Sequence, residues 1–570
     1  MIRHPLVRIV CGTIFLAITA SQPAQACGGF FCFQTPIDQS AESIVFSVNP
    51  ETDEVETHVQ ISFQGDAEAF AWVVPVPAQP DLFISSDLLF STLASATAPV
   101  FSVRAHDEGI CTGYYGYSDY DVTSSGSYGY SYGDTGTFGV VIVAQEQVGP
   151  YETVTLQAQS STALLEWLQD NGYNLPDTLD PVLAPYIDSE AYFVALKLQS
   201  DKSDGDIAPL GMRYAANKAG IPIQLTSVAA TPDMRLTVYV FGEFRAVPES
   251  YLHVRVNNAA LNYVERGSNY NEVITRAADE AGGHAFATDF AGSPAGLRGS
   301  LNTSRFDTDA LAALTDPAAF MNEIINQEFP ADDTLLNLLL IHIPMPQEVR
   351  DIGVSETAFY NCLDCFSEDL GPFDPVAFAA DLQTVIVDPL LNVEELFLSG
   401  WLSRMTSSLS PGEMTVDPVF VLNPDMGEVS NLREADLYYL CGDGTDYDDA
   451  PRRLELEDGR LLLLPSETWL AENGLTLDEY LNNLTDINAI IIEKTGASGQ
   501  PEILQDFTDS AAQDDQDNND WVQEAFGDSS PTTQTLGCSC TTANTGPTGA
   551  FWIVLFGWVL AGRRRRIAPV

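Results

Sequence analysis

Lysine is almost missing from this chain: Lys197, Lys202, Lys218 and Lys494 are all there is in 570 residues. Arginine does little to compensate, since 25 Lys and Arg together face 80 Asp and Glu, a formal charge of −55. Six of those arginines, Arg3, Arg8 and Arg563 to Arg566, sit in the two terminal segments; removing them from 25 leaves 19 against 80, or −61. So acidic a surface repels phosphate backbones and anionic lipid and favours solubility or cation binding, which excludes a nucleic-acid partner. Histidine is scarce as well. His58, His106, His253, His284 and His342 make no metal pair at helical spacing, and HExxH is absent, which excludes that zinc-hydrolase signature. Two apolar runs stand near the ends of the sequence.

At the first end Arg3 and Arg8 precede an apolar run from Ile9 to Ile18, and Ala24-Gln25-Ala26 stands directly before Cys27. That order is a secretory signal peptide over 1–26 with a small-residue cleavage site. A lipoprotein signal is the rival reading, opposed by the missing Leu three residues before Cys27. At the far end come Gly537-Cys538-Ser539-Cys540, a Thr/Asn/Gly-rich spacer, the apolar run Ala550 to Gly562, and the arginine cluster. As a helix that run rises only about 20 Å against a hydrocarbon core of about 30 Å, so it suits a transient stop better than a permanent span. The arginines would hold the cytoplasmic side.

Nine cysteines are present, and Cys11 leaves with the signal. Cys27, Cys32, Cys111, Cys362, Cys365 and Cys441 remain in the ectodomain, an even number in an oxidising compartment, so disulfides are expected. Six cysteines allow 15 connectivities. Cys27 with Cys32 and Cys362 with Cys365 are plausible local pairs.

The expected fold class is α+β. Alternation of Val55, Thr57, Val59, Ile61 and Phe63 with polar residues predicts a half-buried strand with His58 on its polar face. Phe70 to Val74 gives another strand, so the opening reads as an antiparallel β-meander. Further strands are predicted at 154–156, 191–198, 221–228 and 236–241. Helices are predicted after the Ser160 cap, burying Leu164, Trp167 and Leu168, and over 271–281 before Gly282-Gly283. The parts are a β-rich α+β segment over 27–307, a mainly helical one over 308–431, and a small α+β segment over 432–500. That last part contains a hairpin from Arg453 to Leu464 turning on Asp458-Gly459. An acidic disordered stalk follows over 501–540, then a sorting or membrane segment with a short apolar helix over 541–570.

Several ordered blocks resemble the family DUF2330: Cys27-Gly-Gly-Phe-Phe-Cys32, His58-Val-Gln-Ile-Ser-Phe63, Phe70-Ala-Trp-Val-Val-Pro-Val-Pro77, Val148-Gly-Pro-Tyr151, Ile221-Pro-Ile-Gln-Leu225 and Asp279-Glu-Ala-Gly-Gly283. Trp401-Leu-Ser-Arg-Met405 and Ser410-Pro-Gly-Glu-Met-Thr-Val-Asp-Pro-Val-Phe420 look like its closing block, so the resemblance runs from Cys27 to about Asn431. It implies a secreted or surface setting and no catalytic residues. The C-terminal arrangement resembles the MYXO-CTERM sorting signal, which would make Cys538 or Cys540 the processing point.

Each candidate chemistry has a plainer competitor. Gly129-Tyr-Ser131-Tyr-Gly133 fits the nucleophile-elbow pattern, but it lies in a Tyr/Gly/Ser tract, 113–139, with no helix after it. Cys362-Leu-Asp-Cys365 has thioredoxin-like spacing without a βαβ unit, which favours a structural disulfide. Asp443, Asp446, Asp448 and Asp449 offer calcium-type ligands in a Gly-containing loop, and calcium is the one cofactor this pattern suggests, although the EF-hand spacing is not met. His284 and Asp289 could form an acid-base pair across a turn. The tyrosines of 113–139 have the composition of an adaptable binding loop. The expected function is a non-enzymatic, surface-displayed structural or binding protein; the alternative is a surface hydrolase whose site is assembled from distant residues. Its expected partners are the membrane, through the C-terminal segment, the export and sorting machinery, and an extracellular ligand.

Overall fold

A computed structural model describes residues 38–64, 71–112, 140–173, 179–199, 208–299, 301–366 and 370–527. The predicted alternation is realised in the strand Glu54–Gln64, which pairs antiparallel with Asp38–Asn49. Val55 and Val59 lie opposite Val48 and Ile44, and all four are buried in one apolar core. His58 corrects the expectation of a solvated polar face, because it is fully enclosed. The cause is tertiary: Leu210–Ala215 pairs on the other side of this strand, and Phe83 covers the histidine ring edge-on.

The fold class is α+β as expected, built on a ten-stranded mixed sheet. In spatial order its strands are Glu502–Asp506, Ala489–Lys494, Leu252–Val256, Ala285–Gly292, Trp401–Leu409, Ala230–Gly242, Asp38–Asn49, Glu54–Gln64, Leu210–Ala215 and Asp81–Ile84. Asp38–Asn49 runs parallel to Ala230–Gly242, and Leu252–Val256 runs parallel to Ala285–Gly292. A four-stranded antiparallel sheet, Ala71–Val76, Tyr192–Leu198, Tyr151–Ala158 and Val140–Val148, contributes Trp72, Val74 and Val194 to the core that Ile44 and Phe46 line. Its other face buries Leu164, Trp167 and Leu168 of the helix Ser161–Asp170, whose cap is Ser160 as predicted.

Helices fill Thr308 to Leu398 and pack Phe320, Phe359, Phe378 and Phe397 against Val45, Tyr239 and Phe241 of the large sheet. Pro375–Leu398 is long and apolar enough to cross a membrane by length and composition. Its Phe378, Leu382, Leu390, Val393 and Phe397 are buried in that same core, as in a core helix of a globular domain. The helical pattern expected over 308–431 ends at Leu398 and gives way to the strand Trp401–Leu409. Both faces of that strand are covered, so its Ser403, Arg404, Thr406, Ser407 and Ser408 are buried and no period-two contrast survives in the sequence. The strand predicted over 221–228 is the short helix Ile223–Thr226, because Pro222 has no N–H to give a ladder.

A third sheet joins Val100–Thr112, parallel, to Leu432–Asp446, followed by the predicted hairpin Arg452–Leu456 and Leu461–Leu464. The first part of the expected stalk is ordered and must be corrected. Glu502–Asp506 is a strand and Thr508–Phe526 a helix of 19 residues. Its charge is accommodated by specific partners: Arg460 Nε lies 2.7 Å from Asp515, and Asn519 accepts the Leu463 N–H at 2.6 Å. Trp521 and Phe526 both pack on Trp469. These few apolar positions, with Ala511 and Val522, seat a helix that charge density alone argued against.

Among the described residues two disulfides are formed, Cys111 to Cys441 and Cys362 to Cys365, the second being one of the expected local pairs. Cys27 and Cys32 lie outside the described residues. Because the second bridge closes a sequence separation of only 3, its chain-entropy contribution is about 2 kcal/mol. Leu363, Phe359 and Tyr360 are independently buried beside it. Replacing both Cys362 and Cys365 by serine is therefore expected to lower stability by no more than about 2 kcal/mol in chemical denaturation. A loss of about 4 kcal/mol or more would show that the turn depends on its bridge.

Candidate functional site

The loop after the central strand Trp401–Leu409 is the point where distant segments converge. Ser410 turns the chain: the Glu413 N–H donates to Ser410 O at 2.8 Å, and the Glu413 carboxylate accepts the Ser410 N–H at 2.7 Å. Ser410 Oγ donates to Asp233 at 2.9 Å and accepts the Asp233 N–H at 3.1 Å. Asp233 has φ +57°, a left-handed conformation that a non-glycine residue adopts only where its surroundings impose it. Gly283, with φ +77°, lets the Glu413 carboxylate come so close that a Cβ there would stand 2.5 Å from Oε1.

Asp279 stands in the last turn of helix Tyr270–Glu280. Burial first, then the charges of Glu413, Asp233 and Glu280, push Asp279 up to about 6. Further along, Thr415 Oγ1 is 3.1 Å from His284 Nε2, and Tyr251 donates its hydroxyl to Val416 O at 2.8 Å. Asp417 accepts from the Tyr186 hydroxyl and from Gln224 N–H, each at 3.0 Å, while Pro418 O accepts Ile221 N–H at 3.0 Å. Burial raises Asp417 despite those donors. One loop thus ties together the residues around 186, 221–224, 233, 250–251 and 279–284.

Two hydroxyl–imidazole–carboxylate relays emerge only in three dimensions. Thr288 Oγ1 lies 2.9 Å from His253 Nε2, and His253 Nδ1 lies 2.9 Å from Glu493 Oε1. Ser85 Oγ lies 2.8 Å from one nitrogen of His58, whose other nitrogen is 2.8 Å from Glu56. Hydrolytic triads join the same groups in the same order. Here, however, Ser85 is 2% and Thr288 9% exposed, and Thr288 Oγ1 also accepts from Arg245 Nη2 at 3.3 Å. A hydroxyl so enclosed presents no nucleophile, and the relays instead tie strands together. Burial lowers His253. Burial would raise Glu493, but hydrogen bonds from His253 and Arg255 hold it low. Against the same effect of burial, Glu56 is held low by His58 and Arg213. One signal was legible: Glu56 and His58 stand two apart on a strand and must share a face. Glu493 and Thr288 carry no such local mark.

Two concavities lie on this framework. A small one of about 50 Å3 is set between the large sheet and the Ala71–Val76 strand, lined by Glu42, Thr57, Trp72, Pro75, Tyr214 and Ile221 among others. It holds little more than a few waters. An open groove of about 490 Å3, lined by residues that include Ser43, Asp87, Phe90, Tyr239, Pro330 and Asp332, is within the size range of small-ligand sites.

His284 and Asp289 are not a pair: His284 faces Thr415, whereas buried Asp289 holds the Tyr270 and Thr406 hydroxyls and lies 3.2 Å from Arg404. Asp443 and Asp446 end the strand Leu432–Asp446, and Asp446 caps the turn carrying Asp448 and Asp449. Among the described residues no group of three or more His, Cys, Asp or Glu could hold a metal ion, so these four carboxylates do not converge on one. Ser131, the tract 113–139, Cys538 and Cys540 lie outside the described residues.

A family model described as an uncharacterised protein conserved in bacteria, DUF2330, matches residues 22–327. The blocks from Cys27 to Gly283 fall inside that stretch, and the block at 401–420 falls beyond it. No curated protein and no solved structure matches.

Proposed function

The chain belongs to the DUF2330 family of uncharacterised proteins conserved in bacteria, and from that footing we propose an exported protein, held at the outer surface by its C-terminal segment, that serves as a structural or binding ectodomain. The observation that carries this reading is the Cys111–Cys441 bridge, which joins residues 330 apart. A bridge of that kind forms and persists in an oxidising compartment and is rare where glutathione keeps thiols reduced. The signal-like segment 1–26 and the cysteine-and-arginine tail supply the route and the anchor. Binding, rather than hydrolysis, is supported by the enclosure of both relay hydroxyls and by the ligand-sized groove. Among the described residues its lining includes the carboxylates Asp87 and Asp332 and no lysine or arginine, a lining suited to neutral or cationic ligands.

Cell fractionation with mass spectrometry of the native protein tests the proposal. The expected result is a mature N-terminus at Cys27, a C-terminus near Cys538 or Cys540, and an oxidised Cys111–Cys441 pair in the outer envelope. A cytosolic protein with free Cys111 and Cys441 thiols would overturn it.

A further inference from the structure

We propose that Trp469, Trp521 and Phe526 form an aromatic corner that binds a quaternary ammonium cation of the choline type. This goes beyond the structural or binding role and does not depend on the open groove or on where the protein resides.

Three rings meet there from two helices. Trp469 belongs to helix Glu467–Glu472, and Trp521 and Phe526 belong to helix Thr508–Phe526. Their planes stand at 67°, 74° and 86° to one another, three nearly perpendicular walls with centroids 5.2, 6.3 and 6.5 Å apart. A cation seated about 4.5 Å above each of three perpendicular rings would leave their centroids about 6 Å apart, within the reach of cation–π attraction. All three rings are half-buried and so keep accessible surface. Tyr480 lies beside Trp469 and Trp521, at 6.3 and 6.2 Å, and is held by a hydrogen bond from its hydroxyl to Asn518. Among the described residues no lysine or arginine is stacked on Trp469, Trp521 or Phe526, whereas Phe83, Tyr173 and Tyr438 each carry one.

The charge around the corner is of one sign. Helix Thr508–Phe526 carries six carboxylates and no basic residue. Asp517 and Glu524 stand four residues before and three after Trp521, which places them beside it on the helix surface, and both are exposed. Glu472 stands in the same relation to Trp469. Phe526 ends its helix, where the aligned peptide dipoles leave partial negative charge. These features attract a cation and repel an anion. A primary ammonium would have to shed strongly bound water and find hydrogen-bond acceptors, which ring faces supply poorly. A quaternary ammonium spreads its charge over methyl groups and presents apolar surface to all three walls. A ligand that also carries a phosphate would meet Asp517, Glu524 and Glu472, so the free cation is favoured over a phosphocholine headgroup.

Calorimetric titration of the full chain at low ionic strength tests this, with three probes: choline, phosphocholine, and dimethylbutanol, the uncharged isostere of choline with carbon in place of nitrogen. Choline is expected to bind with a Kd of about 0.1–1 mM, and the isostere at least about 10-fold more weakly, since it fills the same corner without the charge. Phosphocholine should also bind more weakly than choline. Glu524→Gln, an exposed change that leaves the walls intact, should weaken choline binding about 2- to 3-fold, and added salt should erase that difference. Trp521→Leu keeps an apolar side chain against Trp469; with its fold verified by circular dichroism, it should lose choline affinity at least about 10-fold. Equal affinity for choline and the uncharged isostere, or no saturable choline binding up to about 20 mM, would overturn the site. Phosphocholine binding as tightly as choline would overturn the choice of a free cation.

Discussion

Serine at Cys111 and Cys441 is expected to lower the unfolding free energy by about 4–5 kcal/mol. The bridge closes a separation of 330 residues, and the entropy removed from the unfolded chain rises with the logarithm of that length. It also fastens an edge. Among the described residues Val100–Thr112 is bonded on one side only, to Leu432–Asp446, and the bridge sits near the far end of that ladder. Cys441 is fully buried among Leu437, Tyr439 and Leu454, so serine would add a polar group to an apolar site as well. Denaturant unfolding of the oxidised wild type against the double serine variant measures the difference. A loss below about 1 kcal/mol would mean that the parallel ladder alone holds the strand and that the unfolded chain gains little freedom.

Asp289→Asn is expected to cost about 3–5 kcal/mol, because it leaves the Arg404 guanidinium buried without its counter-charge. Arg404 is 9% exposed, and its Nη1 already has no hydrogen-bond partner. Its Nε is 3.2 Å from Asp289 Oδ2 but poorly aligned, so the attraction is that of an ion pair more than of a directed bond. The variant keeps the shape of the side chain, and the remaining amide oxygen can still accept one of the bonds from Tyr270 and Thr406. The loss should therefore be mostly electrostatic and should shrink when Arg404→Met is added, a double-mutant cycle that isolates the charge pair. Equal losses in both backgrounds would assign the cost to the two hydroxyl bonds instead. Either way the aspartate that the sequence offered as a catalytic acid acts as a strut between helix Tyr270–Glu280 and the central strand.

Much of the fold was legible. Val55 and Val59 alternate because one face of their strand is buried, and Ser160 announces its helix because the first N–H groups need an acceptor. The Asp458-Gly459 turn was equally plain, since glycine at φ +84° closes the hairpin there. Apart from the strand expected over 221–228, which Pro222 breaks locally, what failed shared one cause. Trp401–Leu409 is polar and buried, Thr508–Phe526 is acidic and ordered, and His58 is on a polar face and enclosed. In each case a partner far along the chain neutralises the feature on which local pattern reading depends. The candidate site was hidden for the same reason: Asp233, Asp279 and Glu413 are ordinary carboxylates until a strand, a helix and a loop bring them together.

Composition and short-range order alone dictated the α+β class, most of the regular elements and the strong excess of acidic over basic residues. Those properties depend on residue counts and on periods of two or about four residues, which any short window contains. The joining of Cys111 to Cys441 and the sealing of both relays belong instead to the packed molecule. Each rests on a contact between residues at least 27 apart in the chain. Over such a separation chain connectivity places no constraint, and only the packing of sheets and helices chooses the partner.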